Sequence, residues 1–408
     1  MNKHVFLSLL FPLALMATLP RHAAGQVLAG IDVLQRDAFQ QLAGRKIGLI
    51  TNHTGTNARG VSTVKLFHES PNVTLVALFS PEHGFAGVLD QANIDDQRDS
   101  LTGLKVHSLY GKTRVPTAEM LEGIDTLVFD IQDIGTRFYT YISTMGGAMK
   151  ASAQHQIRFV VLDRPNPING VSVQGPVLDP GDESFVGYHP ISVRHGMTVG
   201  ELAMMFKAEW ELDVELQIIR IEDWDRSKMF DATGRLWINP SPNMRSLTQA
   251  LLYPGVGLLE TTNVSVGRGT DTPFEVLGAP WIDAITLARE LNAQPLDGIR
   301  FVPIEFTPDA SKHEAQKCGG VNLIVTDRAA FDPLETGLTL ATTLHRLYPQ
   351  DWQTKSLNRL LVSEKTRDGI LSAKSVEQLI RAYQDELSDF KHRREAFLLY
   401  RDAGRGEP

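Results

Sequence analysis

Short apolar runs rich in β-branched residues alternate with segments of helical spacing from about residue 27 to residue 235. Lys46 to Thr51, Thr74 to Phe79, Val106 to Tyr110, Thr126 to Asp133, Arg158 to Leu162 and Leu216 to Ile221 read as strands. Val33 to Leu42, Thr63 to His68 and Thr136 to Ala153 read as helices, and Thr198 to Glu201 has capping-box spacing ahead of a fourth. This alternation predicts a mostly parallel α/β sheet. The polar segment 93–103 and the Gly-, Pro- and Asp-rich segment 170–190 predict loops, the second long enough to shape a cleft. Beyond Asn239 the pattern changes. Phe274 to Trp281, Phe301 to Phe306 and Val321 to Thr326 predict a smaller mixed sheet, with helices over Ile285 to Leu291, Thr336 to Leu347 and Val376 to Leu387.

The length of 408 residues is ample for two domains, and 42% hydrophobic with 22% charged residues is ordinary globular usage, which excludes a disordered chain or a fibre. A net charge of −8 gives no reason to expect nucleic acid or an anionic membrane surface as partner. At the N-terminus, Lys3 and His4 precede the apolar run Val5 to Leu19, and Ala23, Ala24 and Gly25 follow it. That layout predicts a secretory leader over residues 1–25, cleaved near Gln26, rather than a membrane anchor, because the run is short for a span. The single cysteine, Cys318, rules out an intramolecular disulfide and a cysteine metal site. A periplasmic or secreted protein is expected.

Candidate chemistry gathers at the carboxyl ends of the predicted strands, where ligands bind open α/β sheets. His53 follows the first. Glu82 and His83 follow the next on a turn punctuated by Pro81 and Gly84; Asp130, Gln132 and Asp133 end another, and Asp163, Arg164 and Asn166 the last. No Gly-x-Gly-x-x-Gly follows the first strand, and neither a P-loop nor a Gly-x-Ser-x-Gly elbow occurs, so no dinucleotide or organic cofactor is expected. His53, His83, Asp130, Asp163 and His195 contain no pair at zincin spacing, leaving a metal-dependent hydrolase as the lesser reading. Carboxylates interspersed with arginines, amides and aromatics instead suit a sugar site, where one acid protonates the leaving oxygen and a second carboxylate supports the oxocarbenium-like centre. Asp130 and Asp163 would raise the Glu82 carboxyl by like-charge repulsion. Arg137, Arg164, Arg194 and Arg268 stand near the expected rim as candidates for an anionic group on the ligand, and Tyr139 and Tyr141 as stacking surfaces.

At these residues the chain resembles the exo-β-N-acetylmuramidases of the NamZ type. The matching segments include Gly48 to Asn52, Ser80 to Gly84, Ser108 to Gly111, Phe129 to Gly135 with Arg137 to Tyr141, and Asp163 to Pro167. They continue through Arg194 to Thr198, Pro240 to Met244, Thr262 to Ser265 with Gly267 to Thr270, and Gly278 to Trp281. The resemblance implies a Rossmann-like catalytic domain over 26–238, a smaller α+β domain over 239–408 completing a cleft, and hydrolysis of terminal β-linked N-acetylmuramic acid from peptidoglycan fragments. It implies Glu82 as the leading catalytic residue and brings Asn52, His195, Asn243, Glu260, Asn263 and Asp271 into the expected site. Some members carry an acid where this chain has Val266, so the second carboxylate is sought among Asp130, Asp133, Glu260 and Asp271. A non-catalytic periplasmic sugar-binding protein is the rival from another class.

Overall fold

The computed structural model describes residues 26–91 and 94–402, so the expected leader over 1–25 lies outside the described residues. Seven strands form the main sheet: β1 (Lys46–Thr51), β2 (Thr74–Ser80), β3 (Gln97–Arg98), β4 (Lys105–Ser108), β5 (Thr126–Asp130), β6 (Arg158–Leu162) and, after a small two-stranded sheet of β7 (Gln174–Val177) and β8 (Ser192–Arg194), β9 (Leu216–Ile219). Their order is β3-β4-β2-β1-β5-β6-β9, parallel throughout except for the edge strand β3. From β1 the chain runs outward through β2 and β4, then returns to the other side for β5, β6 and β9. This is the doubly wound Rossmann order, with its switch point between β1 and β5.

Residue alternation along the strands explains the layering. Ile47 and Leu49 of β1, Val128 of β5 and Val160 and Leu162 of β6 face one side, against Ile31 and Leu34 of α1 (Gly30–Arg36) and Val64 and Phe67 of α2 (Thr63–Glu69). Ile50, Phe129, Phe159 and Val161 face the other, where α3 (Tyr141–His155) presents Ile142, Met145 and Met149 and α4 (Val199–Glu209) presents Leu202 and Phe206. Both faces are therefore covered, as a parallel sheet requires.

The second domain holds α5 (Leu247–Val256), β10 (Val276–Ala279), α6 (Ala284–Asn292), β11 (Ile299–Phe306), β12 (Cys318–Val325) and α7 (Pro333–Leu347). It continues with α8 (Asn358–Leu361), α9 (Glu364–Leu371), α10 (Val376–Ala382) and α11 (Gln384–Glu395). Its sheet, β10-β12-β11, is antiparallel, not mixed as the sequence suggested. Helices α5 and α7 meet through glycines: a Cβ on Gly255 would lie 1.8 Å from the Pro333 carbonyl oxygen. No helix among the described residues is long and apolar enough to cross a membrane.

Several expected boundaries move for identifiable reasons. The helix expected from Thr136 begins at Tyr141, because residues 136–140 form a turn fastened to β8 by Arg137 N–H donating to the Val193 carbonyl (2.9 Å). The expected loop 170–190 contains β7, and the expected loop 93–103 contains β3. The single helix expected over Val376 to Leu387 is two helices joined at Tyr383.

Two sets of contacts between the domains run through buried groups. The Arg137 side chain is fully buried and donates to the carbonyls of Pro176 and Ile191 (3.0 and 3.1 Å) and to Leu360 and Leu361 of α8 (3.0 and 2.6 Å). The chain's last described residues return to the first domain. Leu399 N–H donates to Glu201 (2.8 Å), the Tyr400 hydroxyl donates to Asp163 (2.5 Å), and Arg226 N–H donates to the Arg401 carbonyl (3.1 Å). Tyr400 also packs on a small cluster of Val27, Ile221 and Trp224 beside the first described residues.

Candidate active site

A cleft of about 420 Å³ opens where the ends of β2 and β4 and the turn before α3 face the second domain. That is within the usual size of small-ligand sites, roughly 300–1,000 Å³. Glu82 stands in it, two residues past β2, on a loop that folds back on itself. Gly84 N–H donates to the Pro81 carbonyl, Gly87 N–H to Gly84 (both 3.1 Å), and the His83 ring to the Leu89 carbonyl (2.7 Å). The left-handed backbone at His83, Gly84 and Gly87 makes this reversal possible. His53 supports the loop from behind. Its N–H donates to Phe85 (3.0 Å), its Nε2 meets the Asn239 carbonyl (2.6 Å), and its ring fills the place where a Cβ on Gly87 would stand. Burial lowers the His53 imidazole below its ordinary value, and His53 does not line the cleft.

The Glu82 carboxylate accepts from the hydroxyl of Thr140, the residue capping α3, and from the Tyr110 hydroxyl after β4. Burial, then the hydrogen bond to Glu82, keeps the Tyr110 hydroxyl protonated well above its ordinary range. A carboxylate at the start of a 15-residue helix also meets the positive end of its dipole. Tyr139 lines the cleft beside Glu82, edge-on to Tyr141 at 4.9 Å and Tyr253 at 6.0 Å. Across the cleft, the turn Gly267-Arg268-Gly269 has both glycines left-handed and presents Arg268. Its guanidinium donates to Glu260 (2.5 Å) and to both oxygens of Asp90 (2.8 and 2.6 Å), while Asn243 donates to Asp90 (3.0 Å). Lys312, between β11 and β12, completes this wall and donates to the Glu260 backbone carbonyl.

The structure therefore brings together Glu82, His83, Tyr139, Asn243, Glu260 and Arg268 from among the residues expected from sequence. It corrects the others. Asp130 is fully buried, gripped by Arg164 at 2.6 and 2.9 Å and by the Thr63 hydroxyl. Asp133 is inside the protein, accepting from Gly135 N–H (2.7 Å) near the buried His195, whose Nδ1 accepts from Met197 N–H (3.2 Å). Asp163 accepts from Thr198 and Tyr400 and from the Gly200 N–H at the start of α4. Neither Asp130 nor Asp163 is a cleft neighbour of Glu82, so the expected like-charge repulsion does not arise from them. Asn52, Gln132 and Asn166 brace buried turns through Tyr141, Pro165 and Met197, and Arg194 donates to Gln174 (2.8 Å) and to the Ile168 carbonyl. Arg137 is the domain fastening described above. Asn263 bonds Asp351 and Gln353 in a neighbouring recess, and Asp271 is on the exposed surface away from the cleft.

The physical cause is a plugged switch point. Where dinucleotide-binding sheets leave a crevice between β1 and β5, Arg164, Gln132, Thr54 and residues 230–238 leave only about 10 Å³, roughly the room for one water. The usable site has shifted to the β2–β4 side. Sequence reasoning missed Asp90, Thr140, Lys312 and Arg359 of the cleft wall; Asp90 and Lys312 sit on irregular segments with no periodic signal and Arg359 on the four-residue helix α8, too short to show one, whereas Tyr110 and Thr140 lie within motif segments already singled out. Among the described residues no group of three or more His, Cys, Asp or Glu side chains is placed to hold a metal ion.

Comparison with known proteins agrees with this geometry. Residues 47–248 match the N-terminal domain of the family described as exo-beta-N-acetylmuramidase NamZ, and residues 251–400 match its C-terminal domain. The chain is 45% identical over 379 residues to the peptidoglycan beta-N-acetylmuramidase NamZ of Bacillus subtilis strain 168, covering 92% of each. A DUF1343 family crystal structure from Bacteroides fragilis NCTC 9343 superposes with a TM-score of 0.86 at 37% identity, covering 93% of this chain and 100% of that one. A second protein of that family from the same strain gives 0.75 at 31%, covering 92% and 99%.

Proposed function

Because the chain belongs to the exo-beta-N-acetylmuramidase NamZ family across both of its domains, we infer that it is a glycosidase releasing terminal β-linked N-acetylmuramic acid from the non-reducing end of peptidoglycan fragments. One observation carries the assignment of the chemistry. Three carboxylates among the described residues line the cleft, Glu82, Asp90 and Glu260, and the latter two are engaged by Arg268. Glu82 alone of the three is held by hydroxyls, at the junction of the cleft with a second lobe. Hydroxyl partners orient a carboxyl without fixing it in a salt bridge, so Glu82 remains able to exchange a proton with, or approach, a glycosidic centre. Of the second carboxylates expected from sequence, Asp130, Asp133 and Asp271 do not reach the cleft and Glu260 does.

The purified protein should hydrolyse a chromogenic β-N-acetylmuramide, and a chelator should leave the rate unchanged. Ligand binding without turnover would restore the sugar-binding reading; loss of turnover with chelator would restore the metal-dependent one. We also propose export, on the strength of the Lys3, apolar-run and small-residue pattern before Gln26. N-terminal sequencing of the protein from periplasm or medium should begin near Gln26, and material beginning at Met1 would refute cleavage.

A further inference from the structure

Three recesses lie end to end. The central cleft shares Glu82, Tyr110, Thr140 and Arg359 with a lobe of about 580 Å³ on one side. On the other it shares Thr261, Lys312 and Ser356 with a recess of about 350 Å³ that also takes in His313 and Lys355. Glu82 faces only the first junction, and Lys312 only the second. In a pyranose held with its anomeric carbon at Glu82, the C3 substituent leaves from the part of the ring remote from the bond being cleaved. With the ring lying along the cleft away from Glu82, that substituent would meet the Lys312 junction.

The cations of the site differ in what already occupies them. Arg268 is paired with two carboxylates, whereas no carboxylate among the described residues comes within ion-pair distance of the Lys312 ammonium, whose one hydrogen bond is to a backbone carbonyl. The loop around it is held in an uncommon conformation. Ser311, His313 and Ala315 are all left-handed without being glycine, at φ of 70°, 60° and 57°, each a backbone state that side-chain-bearing residues rarely adopt and that is retained where the surroundings impose it. Those surroundings are specific. Asp309 N–H donates to the Gly269 carbonyl (2.7 Å), the His313 ring meets the Asn263 carbonyl (2.7 Å), and a Cβ on Gly269 would lie 2.3 Å from the Ala310 carbonyl oxygen. The Arg268 turn and the Lys312 loop are thus one rigid unit that fixes a half-buried ammonium on the cleft wall.

We propose that Lys312 is the specificity-determining residue that binds the carboxylate of the substrate's 3-O-lactyl ether, with Arg268 serving instead to hold Asp90 and Glu260 in place. This rests on the muramidase reading and deepens it. The recess beyond Lys312 receives whatever the lactyl group carries, and the lobe beyond Glu82 and Arg359 receives the leaving sugar.

Lys312→Met removes the charge and keeps the length of the side chain. Calorimetric titration should show that the wild-type protein prefers N-acetylmuramic acid to its lactyl methyl ester by about tenfold or more, the difference made by a charged hydrogen bond. The variant should bind both alike, with the affinity for the ester unchanged. Lys312→Arg should recover part of the preference. A wild-type protein without preference for the acid, or a Lys312→Met variant that keeps it, overturns the proposal. Equal weakening toward acid and ester also overturns it, since that is the mark of a merely structural residue. Hydrolysis of a chromogenic muramide by the wild type tests the muramidase reading separately.

Discussion

Replacing Glu82 by Gln is expected to reduce turnover of a natural β-muramyl disaccharide by about 10²–10⁴-fold, the usual worth of a positioned acid or base. The substitution keeps the shape of the side chain, and its amide oxygen can still accept from Thr140. Folding should therefore be unaffected, and circular dichroism with thermal melting would check it. The leaving group separates two roles. A nitrophenolate hardly needs protonation, so a Glu82 acting only as acid leaves a much smaller deficit on a nitrophenyl muramide. A comparable loss on both substrates assigns it to attack on, or support of, the anomeric centre. Near-normal turnover of the disaccharide by the folded variant would remove Glu82 from the mechanism.

The second large effect is on stability. Asp130→Ala leaves the Arg164 guanidinium buried among carbonyls with its counter-charge gone, and breaking a buried pair in this way costs about 3–5 kcal/mol. Denaturant unfolding should register a loss of that order, whereas kcat per folded molecule should stay near the wild-type value because Asp130 does not face the cleft. Combining Asp130→Leu with Arg164→Met should cost much less than the single charge removal, since an apolar pair leaves no uncompensated ion. A catalytic Asp130 would show the reverse: normal stability and lost turnover.

The two predictions mark where sequence reasoning succeeded and where it did not. The doubly wound sheet was legible because each core strand carries its own signal: β1 and β6 fall on the residues expected from their apolar runs, and the Thr198–Glu201 box does cap α4. Glu82 was legible because a Pro and two glycines mark the loop that turns it into the cleft. Polar residues at strand ends could not be sorted further from sequence. Asp130 and Glu82 look alike as the acidic ends of two apolar runs, and only the partner arriving from elsewhere, Arg164 for one and Thr140 for the other, separates an ion pair in the interior from a carboxylate open to a ligand. The same holds for the arginines. Arg137 and Arg268 both follow glycine turns, yet one ends on four backbone carbonyls and the other on two cleft carboxylates. Lys312 was invisible because its placement depends on the contact between two loops, Gly267 to Thr270 and Pro308 to Ala315, that are far apart in the chain.

The returning segment 399–401 makes the first domain depend on the second. Asp163 at the end of β6 and Glu201 in α4 are fully buried carboxylates, and both take hydrogen bonds from residues 399 and 400. Each acid has other donors as well, Thr198 and the Gly200 N–H for Asp163 and Arg226 for Glu201, so the segment adds one further hydrogen bond to each, worth on the order of 1 kcal/mol. The anchorage falls on the end of β6 and on α4, one strand of the first domain's sheet and one helix of the layer that covers it. A stretch that follows the second domain thus works as a latch on the first, so that loosening either domain weakens the hold on the other.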